Sequence, residues 1–359
     1  MTGLSKSYRC VCIIIISLAF GCAEIPQVKS TGSLLFNDNL FKAGKHEFEP
    51  QSVFKLSPAM LTYLNNEVLD DRHSHNAAQT LFNALYNKQQ LKLEYDSSYT
   101  RTAREAFDAK SGNCLSLVLM TAAFAKQIGL GVRYQSVYTS ENISRDENTI
   151  YYSGHLNLVL GKAGVYQGGE NIDNAAMVID FLTPTETGNQ RAIAIVEQTV
   201  LSMYMNNRAA EELQMQRLDS AYWWAKQAIV NDPTFLASYN TLGVIYERHG
   251  NLPEAQQALR YVLEMDPVNH AALDNLSHVE LKLGNKEESE RLQKMLRQMV
   301  PTPPFYYFDL GIAAMKTKNY NLARDNFTQE LRRSAYDPVF NFWLAAAYIG
   351  LDDASKARK

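Results

Sequence analysis

Residues 111–138 read SGNCLSLVLMTAAFAKQIGLGVRYQSVY, and the fold of the N-terminal half turns on them. Ser111, Gly112 and Asn113 are turn and N-cap residue types, and 114–128 holds neither Pro nor Gly, so a helix is expected to begin at or just before Cys114. That helix is apolar almost all round (Leu115, Leu117, Val118, Leu119, Met120, Ala122, Ala123, Phe124), the pattern of a buried central helix. Gly129 suits the position just past its end, and 132–138 follow as a strand. Cys114 then falls in the first helical turn, where partial positive charge and free N–H groups favour a thiolate and can hold a developing oxyanion. A cysteine packed as a small hydrophobe is the plain alternative.

Two apolar runs downstream supply partners. Residues 154–160 (GHLNLVL) form a strand pattern that opens on His155, and 177–182 (MVIDFL) form another that contains Asp180. The chain order is therefore Cys114, His155, Asp180.

Thr102-Ala103, Gly112-Asn113-Cys114, Gly129-Leu130, Arg133-Tyr134, Gly154-His155 and Ile179-Asp180 with Pro184 together resemble the transglutaminase-like superfamily, over roughly residues 99–185. The resemblance implies a papain-like α+β core in which the nucleophile helix packs on a small antiparallel sheet. It also implies Cys114 as nucleophile, His155 as general base and acid, and Asp180 as the group that orients the imidazole. Two positions depart from the family pattern and leave the substrate class open: Asn157 stands where many members carry an aromatic residue, and Asn113 where an acidic one is common. An oxyanion hole needs a second donor besides the Cys114 N–H, with Asn87, Gln89, Gln90 and Tyr99 as candidates.

No metal or cofactor is expected. Cys114, His155 and Asp180 lack the fourth-ligand spacing of a thiolate metal site, and Asp70, Asp71, His73 and His75 fit a polar interhelix turn better than a coordination shell. A net charge of -3 and the absence of a Lys/Arg block give no reason to expect nucleic acid, and 46% hydrophobic with 20% charged residues in 359 is ordinary for a chain of two domains or more.

At the N-terminus, Lys6 and Arg9 precede an apolar run over 11–20 that is too short to span a bilayer and has the form of a secretory signal. Residues 18–22 (LAFGC) resemble a bacterial lipobox, which implies a signal peptide over 1–21 and lipidation of Cys22; an uncleaved anchor or an ordinary signal peptide is the alternative. Ala23 after that cysteine implies sorting to the outer membrane, so the localisation expected is the bacterial cell envelope, lipid-anchored and facing the periplasm. Of Cys10, Cys12, Cys22 and Cys114, only Cys114 would then remain a free thiol.

The expected domain order is a tether over 22–49, a transglutaminase-like domain over 50–200 and repeats over 201–359. Within the second, helices are expected over 59–68 and 76–86, and 140–149 as a charged loop between strands. In the third, Pro233, Pro267 and Pro301 are spaced by 34 residues, the tetratricopeptide period. That register aligns Tyr239, Leu242, Gly243, Tyr246, Ala255 and Leu259 in the second repeat, Ala221, Ala225 and Ala228 in the first, and Leu273 and Leu276 in the third. Leu310, Gly311, Ala323 and Phe327 belong to a fourth, and a partial fifth follows. An all-α tetratricopeptide solenoid stacks helix pairs and commonly binds protein or peptide, with Tyr222, Trp223, Trp224, Tyr306, Tyr307 and Trp343 as possible anchors.

The function expected is an exported cysteine-dependent acyl-transfer enzyme, a peptidase or amidase acting on a protein or cell-wall peptide, whose repeats recruit a protein partner or substrate. The alternative is a non-catalytic envelope lipoprotein in which the repeats bind a partner and the core is structural.

Overall fold

The computed structural model describes residues 35–43, 48–69, 77–86, 91, 93–137, 143–146, 149–152, 155–162, 176–181, 192–299, 302, 305–333 and 338–358. The segment expected as a signal peptide over 1–21, the expected lipidation site Cys22 and the Asp70–His75 cluster lie outside them. No helix among the described residues is long and apolar enough to cross a membrane.

Helix α1 (Pro58–Leu64) starts where Ser57 accepts the Met60 N–H and Pro58 stands at the first position. The helix expected over 59–68 passes at Asn65 into a single π turn, Asn65–Leu69. Helix α2 (Ala77–Tyr86) buries Ala78, Leu81, Ala84 and Leu85 on one face. Helix α3 (Ala103–Ala109) has a full capping box, Thr102 accepting from the Glu105 N–H and Glu105 from the Thr102 N–H. Between these lie two short parallel strands, β1 (Glu94–Tyr95) and β2 (Ser111–Gly112).

Helix α4 (Cys114–Gln127) is buried at every position from Leu115 to Ala125. At ~1.5–3 kcal/mol for each fully buried large apolar side chain, Val118, Leu119, Met120 and Phe124 make it the main apolar contribution of this half. Gly129 closes it with φ of +77°, a conformation that side-chain-bearing residues rarely adopt.

The helix packs on a four-stranded sheet of order β7-β6-β3-β8, where β3 is Leu130–Val137, β6 His155–Lys162, β7 Met177–Ile179 and β8 Ala192–Ile195. All of its pairings are antiparallel. Around the charged 140–149 stretch, for which a cleft rim and a solvated hairpin are both open readings of the sequence, the described residues pair as two antiparallel strands, β4 (Ile143–Asp146) with β5 (Thr149–Tyr152).

The rest is a succession of helix pairs: α5 (Glu197–Gln214) with α6 (Leu218–Asn231), α7 (Leu236–His249) with α8 (Leu252–Met265), α9 (His270–Lys282) with α10 (Lys286–Met299), and α11 (Tyr306–Lys316) with α12 (Tyr320–Leu331). Helix α13 (Pro338–Gly350) and the short α14 (Ala354–Ala357) follow. Tyr239, Leu242, Tyr246, Ala255 and Leu259 are fully buried, as the register requires. Gly243 permits the α7–α8 approach, since a Cβ there would stand 2.6 Å from Leu259 Cγ. Leu310 differs: it is 42% exposed, and Phe308 and Ala314 turn inward instead.

Two boundaries are set differently from the expected ones. The line drawn at 200/201 falls inside α5, whose Val200, Leu201, Tyr204 and Met205 belong to the same apolar core as α4. The stretch taken as a tether over 22–49 is docked where it is described: residues 35–43 lie on α6 and α7, and Phe48 packs on Tyr204 and Trp224.

Candidate active site

The first turn of α4 is fixed by side chains rather than by chance. Asn113 Oδ1 accepts the Ser116 N–H at 2.9 Å and the Ser116 hydroxyl at 2.8 Å, and Ser116 Oγ accepts the Arg101 N–H at 2.8 Å. Asn113 Nδ2 donates to Thr100 Oγ1 at 2.8 Å. Gly112 leaves room for this turn, because a Cβ there would come 2.6 Å from Ser116 Cβ. Cys114 sits at the first helical position, partly buried, where its N–H has no intrahelical acceptor.

The sheet register brings the other groups together. In the β6–β7 pairing Leu158 faces Ile179 and Val159 faces Val178, so Asn157 stands opposite Asp180 just past the end of β7. Side chains alternate along a strand, which puts His155 on the same face as Asn157 and diagonal to Asp180. His155 Nε2–H donates to Asp180 Oδ1 at 2.7 Å, and Asn157 Nδ2 donates to Asp180 Oδ2 at 3.2 Å. Phe181 next to it packs on Tyr86, whose hydroxyl meets Thr121 Oγ1 of α4 at 2.5 Å. The end of β7 is thereby tied to the helix that carries Cys114.

His155 is 1% exposed, and burial alone would disfavour its charged form. The hydrogen bond to Asp180 and the nearby Cys114, acting through hydrogen bonding and charge, outweigh burial and raise its pKa from 6.5 to about 9. His155 Nδ1 completes no hydrogen bond of normal geometry, and Cys114 is near enough to raise the ring's pKa without being bonded there. Such bonds often tighten only when substrate is present. Cys114, His155 and Asp180 are thus brought to one place, with Asp180 on Nε2 of the ring.

The contact of Asn157 with Asp180 is what sequence reasoning missed. The period-two relation of Asn157 to His155 was the available signal, since both must face Asp180 once the strands pair. Among the oxyanion candidates, Asn87, Gln89 and Gln90 lie outside the described residues. The Tyr99 ring lies under the Arg208 guanidinium, 3.9 Å from its centroid. Among the described residues no group of three or more His, Cys, Asp or Glu is placed to hold a metal ion. Open clefts of about 440 Å³ beside Gln216–Ser220 and about 390 Å³ beside Phe54 and Lys126 do not include the three residues.

The first repeat braces this site. Thr100 N–H donates to Glu211 Oε1 at 2.6 Å, Asn207 Nδ2 donates to Thr100 Oγ1 at 3.2 Å, and Arg208 Nη1 donates to Glu211 Oε2 at 2.5 Å. Burial pushes the Glu211 carboxyl pKa up, against the pull of Arg208 and Thr100. Of the aromatic residues considered as partner anchors, Trp224 packs inside on Phe48 and Tyr204, and Trp343 sits near Phe327. Tyr306 packs edge-on to Tyr307, while Tyr222 and Trp223 meet residues 35–43.

Comparison with known proteins bears on the helical half. A family model described as tetratricopeptide repeat matches residues 224–257. The chain is 36% identical over 95 residues to mouse sperm-associated antigen 1, covering 26% of this chain and 10% of that protein. It is 24% identical over 128 residues to the TPR repeat-containing protein YpiA of Bacillus subtilis, covering 36% of this chain and 30% of that one. The chain therefore spans less than a third of the length of these curated relatives. Among solved structures, a tetratricopeptide repeat protein from Parabacteroides merdae shares 19% identity over 44% of this chain and 62% of its own, with a TM-score of 0.27. A thermophilic TPR protein of Thermus thermophilus shares 15% over 44% and 86%, with a TM-score of 0.29. The repeats are of tetratricopeptide type, a class of protein-interaction module.

Proposed function

We propose that this chain is a cysteine-dependent acyl-transfer enzyme of transglutaminase-like type, a peptidase or amidase acting on protein or cell-wall peptide. In this reading it is held at the outer membrane by lipid on Cys22, and its repeats recruit substrate or partner. The observation that carries it is the His155 ring, buried, bonded to Asp180 through Nε2 and raised to a pKa of about 9 with Cys114 among the causes.

In this mechanism the proton of Cys114 passes to His155, giving a thiolate at a helix N-terminus beside an imidazolium. The sulfur attacks the amide carbonyl, and the oxyanion meets the Cys114 N–H. The imidazolium gives its proton to the leaving nitrogen as the C–N bond breaks, leaving a thioester. Neutral His155 then takes a proton from water, whose oxygen attacks the thioester and releases acid and thiol. Asp180, fixed by Asn157, keeps the ring oriented through both steps.

A burst assay with p-nitrophenyl acetate tests this. The full chain is expected to release about one equivalent of nitrophenolate as Cys114 acylates, and Cys114→Ala none. A burst that survives in Cys114→Ala, or no burst in the wild type, contradicts the reading. The docking of residues 35–43 on the repeats favours a second role, a scaffold. Full function in cells with Cys114→Ala, together with loss on deleting repeats, would decide for that role alone.

A further inference from the structure

Residues 35–43 lie against α6 and α7 of the repeats. Phe41 is the one buried residue of this segment. Its ring stacks on Tyr222 with centroids 4.0 Å apart and planes at 7°, and it also touches His249 at 4.6 Å. Asp38 accepts from the Tyr222 hydroxyl at 2.6 Å and from Lys226 Nζ at 2.6 Å, yet its side chain stays 48% exposed. A single 3₁₀ turn, Asp38–Leu40, puts Asp38 and Phe41 on the same side, since residues three apart eclipse in that geometry.

The other contacts are mostly to main chain. The Tyr246 hydroxyl donates to Leu35 O and accepts the Asn37 N–H, both at 2.9 Å. Asp219 Oδ1 accepts the Lys42 N–H at 2.9 Å, and Trp223 Nε1–H donates to Lys42 O at 2.7 Å. Main-chain contacts of this kind hold any segment of the same shape, so selection falls on the side chains: Asn37, whose Nδ2 donates to Glu254 Oε1 at 3.1 Å, and above all the acidic Asp38 and the buried ring three residues later. The segment is 177 to 217 residues away in sequence from the side chains that hydrogen-bond it, so it is delivered to a site the repeats form.

We propose that this face of the first two repeats is a peptide-recognition site, that residues 35–43 are its internal ligand, and that a protein partner enters by presenting an acidic residue followed three positions later by an aromatic one in a single turn. The inference rests on the reading of the repeats as a recruiting module and is independent of the Cys114 chemistry. A segment held by one buried ring, the half-buried Leu35, Phe36 and Leu40 and local polar contacts is kept in place by the high effective concentration that its covalent link supplies.

The test uses the full chain and a fluorescein-labelled peptide of residues 35–43 as the surrogate partner motif. The double variant Asp38→Ala, Phe41→Ala, with its site vacated, is expected to bind the peptide at least about tenfold more tightly than the wild type. Peptides carrying alanine at the Asp38 or Phe41 position are expected to lose that binding. Equal affinity of the variant and the wild-type chain, or indifference to either peptide change, overturns the proposal. In the wild-type chain, where folding is not at issue, excess unlabelled peptide should speed hydrogen exchange at the Asn37 and Lys42 amides; no change also overturns it. Concentration-dependent self-association of the wild type that Phe41→Ala abolishes would replace the partner by a second copy. Peptide failure alongside an intact acylation burst sinks this inference and leaves the enzyme reading standing.

Discussion

His155 is where burial and charge compete, and charge prevails. Its pKa rises from 6.5 to about 9, so the fold favours the protonated ring. The stabilisation this gives is fully present below pH 6.5 and is lost as pH climbs through about 9. Unfolding free energy is therefore expected to decline across that window in chemical denaturation, and His155→Gln should flatten the slope. In an NMR titration the His155 midpoint is expected near 9, falling toward or below 6.5 in Asp180→Asn, since the carboxylate supplies the first of the effects that raise it. His155 and Asp180 were legible because each sits in a short strand pattern with one ionisable side chain. The role of Asn157 was hidden because it depends on which residue faces Asp180, and register is set only when the strands pair.

Among the elements, α4 was the most legible, since turn residues before Cys114 and a glycine at its end bound an uninterrupted apolar run. What its sequence did not disclose is that the N-cap is itself held from outside, by Thr100 on Asn113 Nδ2. Asn113→Ala should cost about 0.5–2 kcal/mol from the lost cap, read from denaturant midpoints, and should also slow Cys114 alkylation because the first turn loosens. The π turn at Asn65–Leu69 was invisible, because its residues suit an ordinary helical turn and only packing decides between the two. In the repeats, the 34-residue period located the helix pairs, but Leu310 shows that a register position does not ensure burial in an outer repeat.

At the scale of the molecule, the core and the repeats share α5. Glu211 meets Thr100 from one oxygen and Arg208 from the other, both in a buried setting. Glu211→Ala leaves the buried Thr100 N–H without its acceptor, while Arg208 keeps Glu212 at 3.8 Å, and is expected to cost about 1–3 kcal/mol, read as a lower midpoint for the core and first repeats together. The last helices have an apolar cluster of their own around Phe308, Phe327 and Phe340, so α11–α13 should exchange amide hydrogens faster than α5–α8 in native-state exchange. The docking of residues 35–43 could not be read beforehand, since a short mixed segment with no periodicity carries no trace of the surface it meets. The central claim is an activated Cys114–His155 pair, and the most direct measurement is iodoacetamide alkylation of Cys114 in the full chain at pH 6 to 9, beside His155→Ala. The account predicts faster alkylation in the wild type than in the variant throughout this range. Profiles that coincide would contradict it.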